Sequence, residues 1–269
     1  MNTSTNSEKL TSKHLSFISK HERMNARFQR YMEDRMTLIP SLGNDDDVVF
    51  AGIFDGHGGD SVSEYVSKNM HEIFTNVYKS GELPSIEKCL EVSFYIADMQ
   101  VKQLEKPTEG STAVVSILKK TDHGLELDIA NCGDARAVLC SDGKAIRLSY
   151  DHKATDDMEQ RRIEDAGGFI LRNRVCGILA VSRSFGDYAY DDCVISRPYT
   201  HHQLIQNEDE FLVLSSDGIF DVMTDQEVVD CVQENIQNGN KETCAEQVIA
   251  KAIENGASDN LSVIVLGFK

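Results

Sequence analysis

Basic residues are scarce in this chain of 269: 27 Lys and Arg stand against 44 Asp and Glu, a formal charge of -17. Such a surface repels a phosphate backbone and offers no basic stripe for counterion release, which argues against nucleic acid as a partner. Long apolar runs are missing too. The run LSVIVLGF at 261–268 falls far short of the roughly 18 residues a membrane-spanning helix needs, so the chain reads as soluble, with no membrane partner. Seven cysteines lie between Cys89 and Cys244 without a CxxC pair, against a disulfide framework or zinc knuckle and in favour of a reducing compartment, the cytoplasm or the nucleus. The N-terminus has neither a basic-plus-apolar leader nor Gly at position 2, so secretion and myristoylation lack their signals. The Asn-x-Ser sequons at Asn2 and Asn260 then read as chance matches. Four prolines, and 18 glycines spread among short turns, leave no linker. Residues 1–13 read as a polar, mobile tail and 14–269 as one domain. GxxxxGK[ST], HExxH and GxSxG motifs are all absent.

What is present alternates between two periods. VVFAGIF (48–54) reads as a buried strand, 61–78 and about 85–105 as helices, and the runs from 112 to 148 as an antiparallel meander with a hairpin turn at Ser141-Asp142-Gly143-Lys144. A helix at about 156–166 ends at Gly167-Gly168, strands follow near 169–183, and EFLVLSS (210–216) is another buried strand. Helices at 225–237 and 242–254 and a strand at 261–268 complete the pattern. Strands and helices in blocks predict an α+β fold of antiparallel sheets flanked by helices.

The chemistry lies where aspartates meet these strands. Asp55 ends VVFAGIFD, Asp134 follows LDIANCG, Asp217 ends FLVLSSD, and Asp259 precedes LSVIVLGF. Four carboxylates gathered at one rim of a sheet are costly unless a cation neutralises them. Oxygen donors without His or Cys select hard cations, Mg²⁺ or Mn²⁺. A single strand-end Asp is more often a turn or cap; it is the set of four that suggests a metal site. Asp45-Asp46-Asp47 lacks calcium-loop spacing and reads as a solvated loop. In Asp55-Gly56-His57-Gly58-Gly59 the glycines permit close backbone approach, and His57, two residues from a candidate ligand, is a candidate proton donor.

These residues resemble the metal-dependent serine/threonine phosphatases of type 2C, the PPM family. The resemblance runs in order through Met32-Glu33-Asp34, FDGHGG (54–59), EGSTA (109–113), NCGDAR (131–136), DHK (151–153), QRRIEDAGG (160–168), LAVSRSFGD (179–187), SSDGIFDV (215–222) and SDNLSV (258–263). It implies a four-layer αββα sandwich of two antiparallel sheets with a metal centre in the cleft at one end. It also implies hydrolysis of phosphoserine and phosphothreonine in phosphoproteins by a metal-activated water, without a covalent phosphoenzyme. By the same resemblance Asp55, Gly56, Glu33, Asp217 and Asp259 hold two Mg²⁺ or Mn²⁺ ions, and Asp134 belongs to a weaker third. Asp34 orients water, Thr112 tunes the site, and His57 protonates the leaving alkoxide. A catalytically silent binding module on the same fold is the alternative.

One position departs from the family pattern. Where relatives usually place a phosphate-gripping arginine, four residues before the Glu of Met-Glu-Asp, this chain has Gln29, with Arg30 and Arg27 beside it. Met24, Phe28 and Met32 have helical spacing over 21–36, whereas the resemblance implies a strand. As a strand, 27–34 puts Arg27 and Gln29 on the face of Glu33. A β-bulge between 30 and 33 would turn Arg30 to that face, so Arg30 is expected to replace the family arginine in part, with Gln29 offering a neutral hydrogen bond.

Overall fold

The computed structural model describes residues 12–190 and 192–268. Most of the expected tail, 1–11, lies outside the described residues, while Lys13 is paired with Asp46 at 2.5 Å.

Two five-stranded antiparallel sheets form the centre. One has the order Tyr199–Leu204, Gly124–Cys132, Ala113–Thr121, Val48–Phe54, Arg35–Ile39; the other has Phe17–Arg23, Leu261–Gly267, Asp209–Ser215, Arg136–Ser141, Lys144–Arg147. Their central strands are apolar at nearly every position because both faces are covered. Alternate side chains divide between two environments. Val49, Ala51, Ile53, Leu127 and Ile129 meet Leu139, Leu212, Leu214, Ile264 and Leu266 between the sheets. Phe50, Phe54, Val115 and Ile117 face outward onto Val62, Val66, Met70 and Phe74 of the Ser61–Ser80 helix and Leu90 and Phe94 of the Ile86–Val101 helix. On the opposite side Val138, Phe211, Val213, Val263 and Val265 pack beneath the Asp225–Gln237 and Cys244–Glu254 helices. The result is the expected αββα sandwich. Among the described residues no helix is long and apolar enough to cross a membrane.

Local chemistry sets the boundaries. The Ser61–Ser80 helix ends at Gly81, whose φ of 67° is left-handed. The Asp225–Gln237 helix starts with a capping box between Thr224 and Glu227. The predicted hairpin pairs Ser141 with Lys144, with Asp142 and Gly143 at φ 48° and 71°.

Three expectations are corrected. Residues 24–34 form neither a helix nor a strand. They are a loop between Phe17–Arg23 and Arg35–Ile39. Asn25, at φ 56°, turns the chain, accepting backbone bonds from Phe28 and Gln29 and donating to the Ala257 carbonyl at 2.8 Å. The alternation and the bulge assumed for Arg27, Gln29 and Arg30 therefore do not exist. The strands expected near 169–183 shrink to the two-residue rungs Ile170–Leu171 and Arg174–Val175, because Arg172, Asn173 and Cys176 all take positive φ. The edge strand Tyr199–Leu204 was not foreseen. Its sequence, YTHHQL, lacks an apolar alternation.

Candidate active site

Register brings the acidic positions to one rim. Val48–Phe54 and Gly124–Cys132 run toward it, and Ala113–Thr121 begins there, with Ile53 opposite Val114 and Ala113 opposite Cys132. In the second sheet Ser215 lies opposite both Arg136 and Val263, so Asp134, Asp217 and Asp259 sit at the same end. Arg35 pairs with Phe54, which adds Glu33 and Asp34.

The electrostatics record this convergence. Burial pushes the Asp55 carboxyl well above its ordinary range, and the charges of Asp34, Asp217, Asp134 and Asp259 push it further. Asp217 is raised in the same way, by burial and by Asp134, Asp221 and Asp259. Asp34 is raised to about 6 by burial, against the pull of the Ser262 and Ser216 hydroxyls. Burial also raises Glu33. Asp134 is raised by burial in spite of Lys153, whose Nζ lies 3.4 Å from Asp134 Oδ2. Asp221, the C-cap of the Asp217–Phe220 helix and one turn after Asp217, escaped the sequence reading; its i, i+4 spacing from Asp217 was the available signal.

Backbone detail holds these groups in place. A Cβ on Gly56 would meet the Glu33 carbonyl at 2.6 Å and Ser63 Oγ at 2.7 Å, so only glycine lets the two segments touch. Asn260 is buried and joins the 24–34 loop to the final strand. It accepts from the Glu33 amide at 2.7 Å and donates to the Met24 and Tyr31 carbonyls at 2.9 and 3.1 Å. The sequon at Asn260 is accordingly spent on structure. Thr112 donates its amide to the Asp55 carbonyl at 2.8 Å.

Gln29 is brought to the rim but not as a free group. Its Nε2 donates to Asp259 Oδ1 at 2.9 Å and to the Ser258 carbonyl at 3.2 Å. Arg27 is exposed, its guanidinium over the Phe28 ring at 5.2 Å, and Arg30 is exposed as well. Asp45, Asp46 and Asp47 are exposed as expected, Asp47 pairing with His14 at 2.8 Å. His57 meets Asp187, a residue the sequence reading did not single out: Nε2 and Oδ2 are 2.7 Å apart.

Among the described residues no three His, Cys, Asp or Glu side chains form a ready-made metal cage. The donor set nevertheless fits a hard cation. The rim groups are carboxylates that raise one another's pKa, and Asp34 Oδ2 and Thr112 Oγ1 are buried without a hydrogen-bond partner.

Comparison with known proteins agrees with this geometry. The family pattern of protein phosphatase 2C matches residues 20–261. The chain is 35% identical over 258 residues to protein phosphatase 2C homolog 1 of Saccharomyces cerevisiae, covering 91% of each. It is 35% identical over 249 residues to the Schizosaccharomyces pombe protein of that name, covering 91% of this chain and 71% of the relative. Among solved structures, a serine-threonine phosphatase 2C from Toxoplasma gondii superposes with a TM-score of 0.85 at 21% identity, covering 97% of both chains, which shows the shared fold. The chain belongs to the protein phosphatase 2C family. It is a serine/threonine protein phosphatase, in a family that is generally metal-dependent.

Proposed function

We propose that residues 14–269 act as one catalytic domain that hydrolyses phosphoserine and phosphothreonine in phosphoproteins, with water rather than a side chain attacking phosphorus. The observation that carries this reading is the convergence of Asp55, Asp34, Asp134, Asp217 and Asp259 on one rim, where burial, and then the charges of the other four, push the Asp55 carboxyl up. Asp55, the Gly56 carbonyl, Glu33, Asp217 and Asp259 would hold two divalent ions, with Asp134 serving a weaker third. When bound there, Mg²⁺ or Mn²⁺ supplies Lewis acidity that neutralises a phosphate dianion and makes water nucleophilic near neutral pH. The remaining work falls to the chain. Asp34, with a buried oxygen lacking a protein partner, accepts a hydrogen bond from water and orients it. His57 gives a proton to the departing Ser or Thr oxygen, the group in most need of one.

Substrate grip rests on different footing from that of relatives with an arginine at position 29. Gln29 is committed to Asp259, so it steadies a rim carboxylate and does not hold phosphate. Arg30 and Arg27, on the same loop and exposed, are the cationic candidates for contacting the phosphopeptide.

Phosphate release from a phosphothreonine peptide tests the reading. Release is expected with Mn²⁺ and should stop when a chelator is added. A chain that binds the peptide under both conditions but releases no phosphate is instead a silent binding module.

A further inference from the structure

We propose that Asp187 is a positioning residue for His57: it fixes the imidazole with the proton on Nε2, so that Nδ1 is the atom that hands a proton to the leaving oxygen. The proposal rests on the reading of His57 as general acid.

Asp187 is held with unusual strictness. Its side chain is fully buried, and its backbone sits at φ 53°, a conformation costly for a residue other than glycine. Its amide donates to the Glu109 carbonyl at 3.0 Å, and its carbonyl accepts from Tyr190 at 2.7 Å. Ser184 Oγ donates to Oδ2 at 2.5 Å, the same oxygen that meets His57 Nε2, while Oδ1 is buried without a hydrogen-bond partner. The space around the pair is reserved as well. A Cβ on Gly110 would lie 2.2 Å from Asp187 Oδ2 and 2.4 Å from His57 Nε2. The strands Gly56–His57, Gly110–Ser111 and Phe185–Gly186 pair side by side, so three distant segments are tied together around this one contact.

The chemistry follows from the acceptor. An ionised carboxylate has no proton to give, so the nitrogen it meets must be N–H. With Nε2–H held, the imidazolium carries its transferable proton on Nδ1. As the P–O ester bond breaks, its electron pair goes to the Ser or Thr oxygen, which takes the Nδ1 proton. The imidazole becomes neutral and keeps Nε2–H against Asp187, and water returns the proton to Nδ1. Asp187 touches neither substrate nor phosphorus and acts through the ring alone, as an orienting acid does in a catalytic triad.

Asp187→Asn tests this, because an amide of the same shape can hold either tautomer. On a phosphothreonine peptide kcat should fall about 10²-fold with KM within about twofold. On p-nitrophenyl phosphate, whose leaving group needs no proton, the loss should be only a few-fold. In a His57→Gln background the same change should cost almost nothing further, since groups acting as a unit are not additive. Nitrogen-15 shifts of His57 in its neutral form should show Nε2–H alone in the native protein and a mixture of tautomers in Asp187→Asn. If Asp187→Asn costs as much with His57→Gln as without it, or if the tautomer is unchanged, Asp187 is structural and the proposal fails. If His57→Gln itself loses equally on both substrates, the general-acid reading fails first. Should Asp187→Asn not fold, Ser184→Ala removes the hydroxyl that anchors the same carboxylate; a few-fold loss confined to the peptide supports the proposal, and equal kinetics on both substrates overturn it.

Discussion

Two groups of buried acids in this molecule are built in opposite ways. Glu159, on the Asp157–Asp165 helix, is nearly enclosed, and burial alone would raise its pKa. Hydrogen bonds from Arg183, Ser182 and Arg162 outweigh that and pull it down to about 2. At the rim the balance takes the other sign: burial raises Asp55 and Asp217 well above the ordinary range, and their acidic neighbours push them further instead of offsetting it. Where a carboxylate brings its counter-charge on the same chain, it fastens loops. Where it faces other carboxylates, the neutralising charge has to come from solution.

Removing one member of each group separates the two roles. Asp217→Asn should lower kcat/KM on a phosphothreonine peptide by about 10³-fold, some 4 kcal/mol of transition-state stabilisation; a loss under tenfold would remove Asp217 from the rim chemistry. Glu159→Gln should leave the rim intact but destabilise the fold by roughly 3 kcal/mol in urea unfolding, since it strands two arginine charges. The pH dependence sharpens this. A carboxyl held below its ordinary 4.5 contributes stability that is present above that value and lost as pH falls toward about 2. The gap between the native protein and Glu159→Gln should therefore narrow as pH falls below 4.5 and close only toward pH 2, and a constant gap would contradict the ion-pair account.

Metal should stabilise one region without help from the other. At 100 times its dissociation constant, Mn²⁺ should add roughly 2.7 kcal/mol to unfolding, seen as a rise in Tm. Glu159→Gln should keep that rise, and Asp217→Asn or Asp259→Asn should flatten it. The smallest effect has the reverse sign. In chelator, Asp217→Asn relieves repulsion among the rim charges, so its Tm should exceed the native value by about 2 °C. A lower Tm in chelator would mean that the rim acids are not in conflict.

How much of this was legible in the sequence depends on distance along the chain. The antiparallel sheets flanked by helices could be read from the block pattern of strands and helices, the αββα layering came from the family resemblance, and the rim acids could be read because a strand and the Asp that ends it are neighbours, a local mark that Asp55, Asp134, Asp217 and Asp259 each carry. Asp187 and Asn260 could not be read as site-building residues. Their partners lie 130 and 227 residues away, and nothing near either residue announces the pairing. The 24–34 loop fits neither the helical spacing of Met24, Phe28 and Met32 nor the strand that the resemblance implied, because its path is set by the left-handed turn at Asn25 and by the grip of Asn260. The Tyr199–Leu204 strand is stabilised by backbone pairing with Gly124–Cys132, a contact its polar side chains do not advertise.

The placement of Leu261–Gly267 sets a timetable for synthesis. This strand lies between Phe17–Arg23 and Asp209–Ser215, and it carries Asp259 and Asn260 at its entrance. While the ribosome is still translating the middle of the chain, Phe17–Arg23 has no neighbour to pair with, the 24–34 loop has no Asn260 to fold around, and the rim lacks an acid. Contacts spanning more than two hundred residues close slowly. The second sheet can therefore close only after the strand near residue 265 has cleared the exit tunnel and taken its place between its two partners.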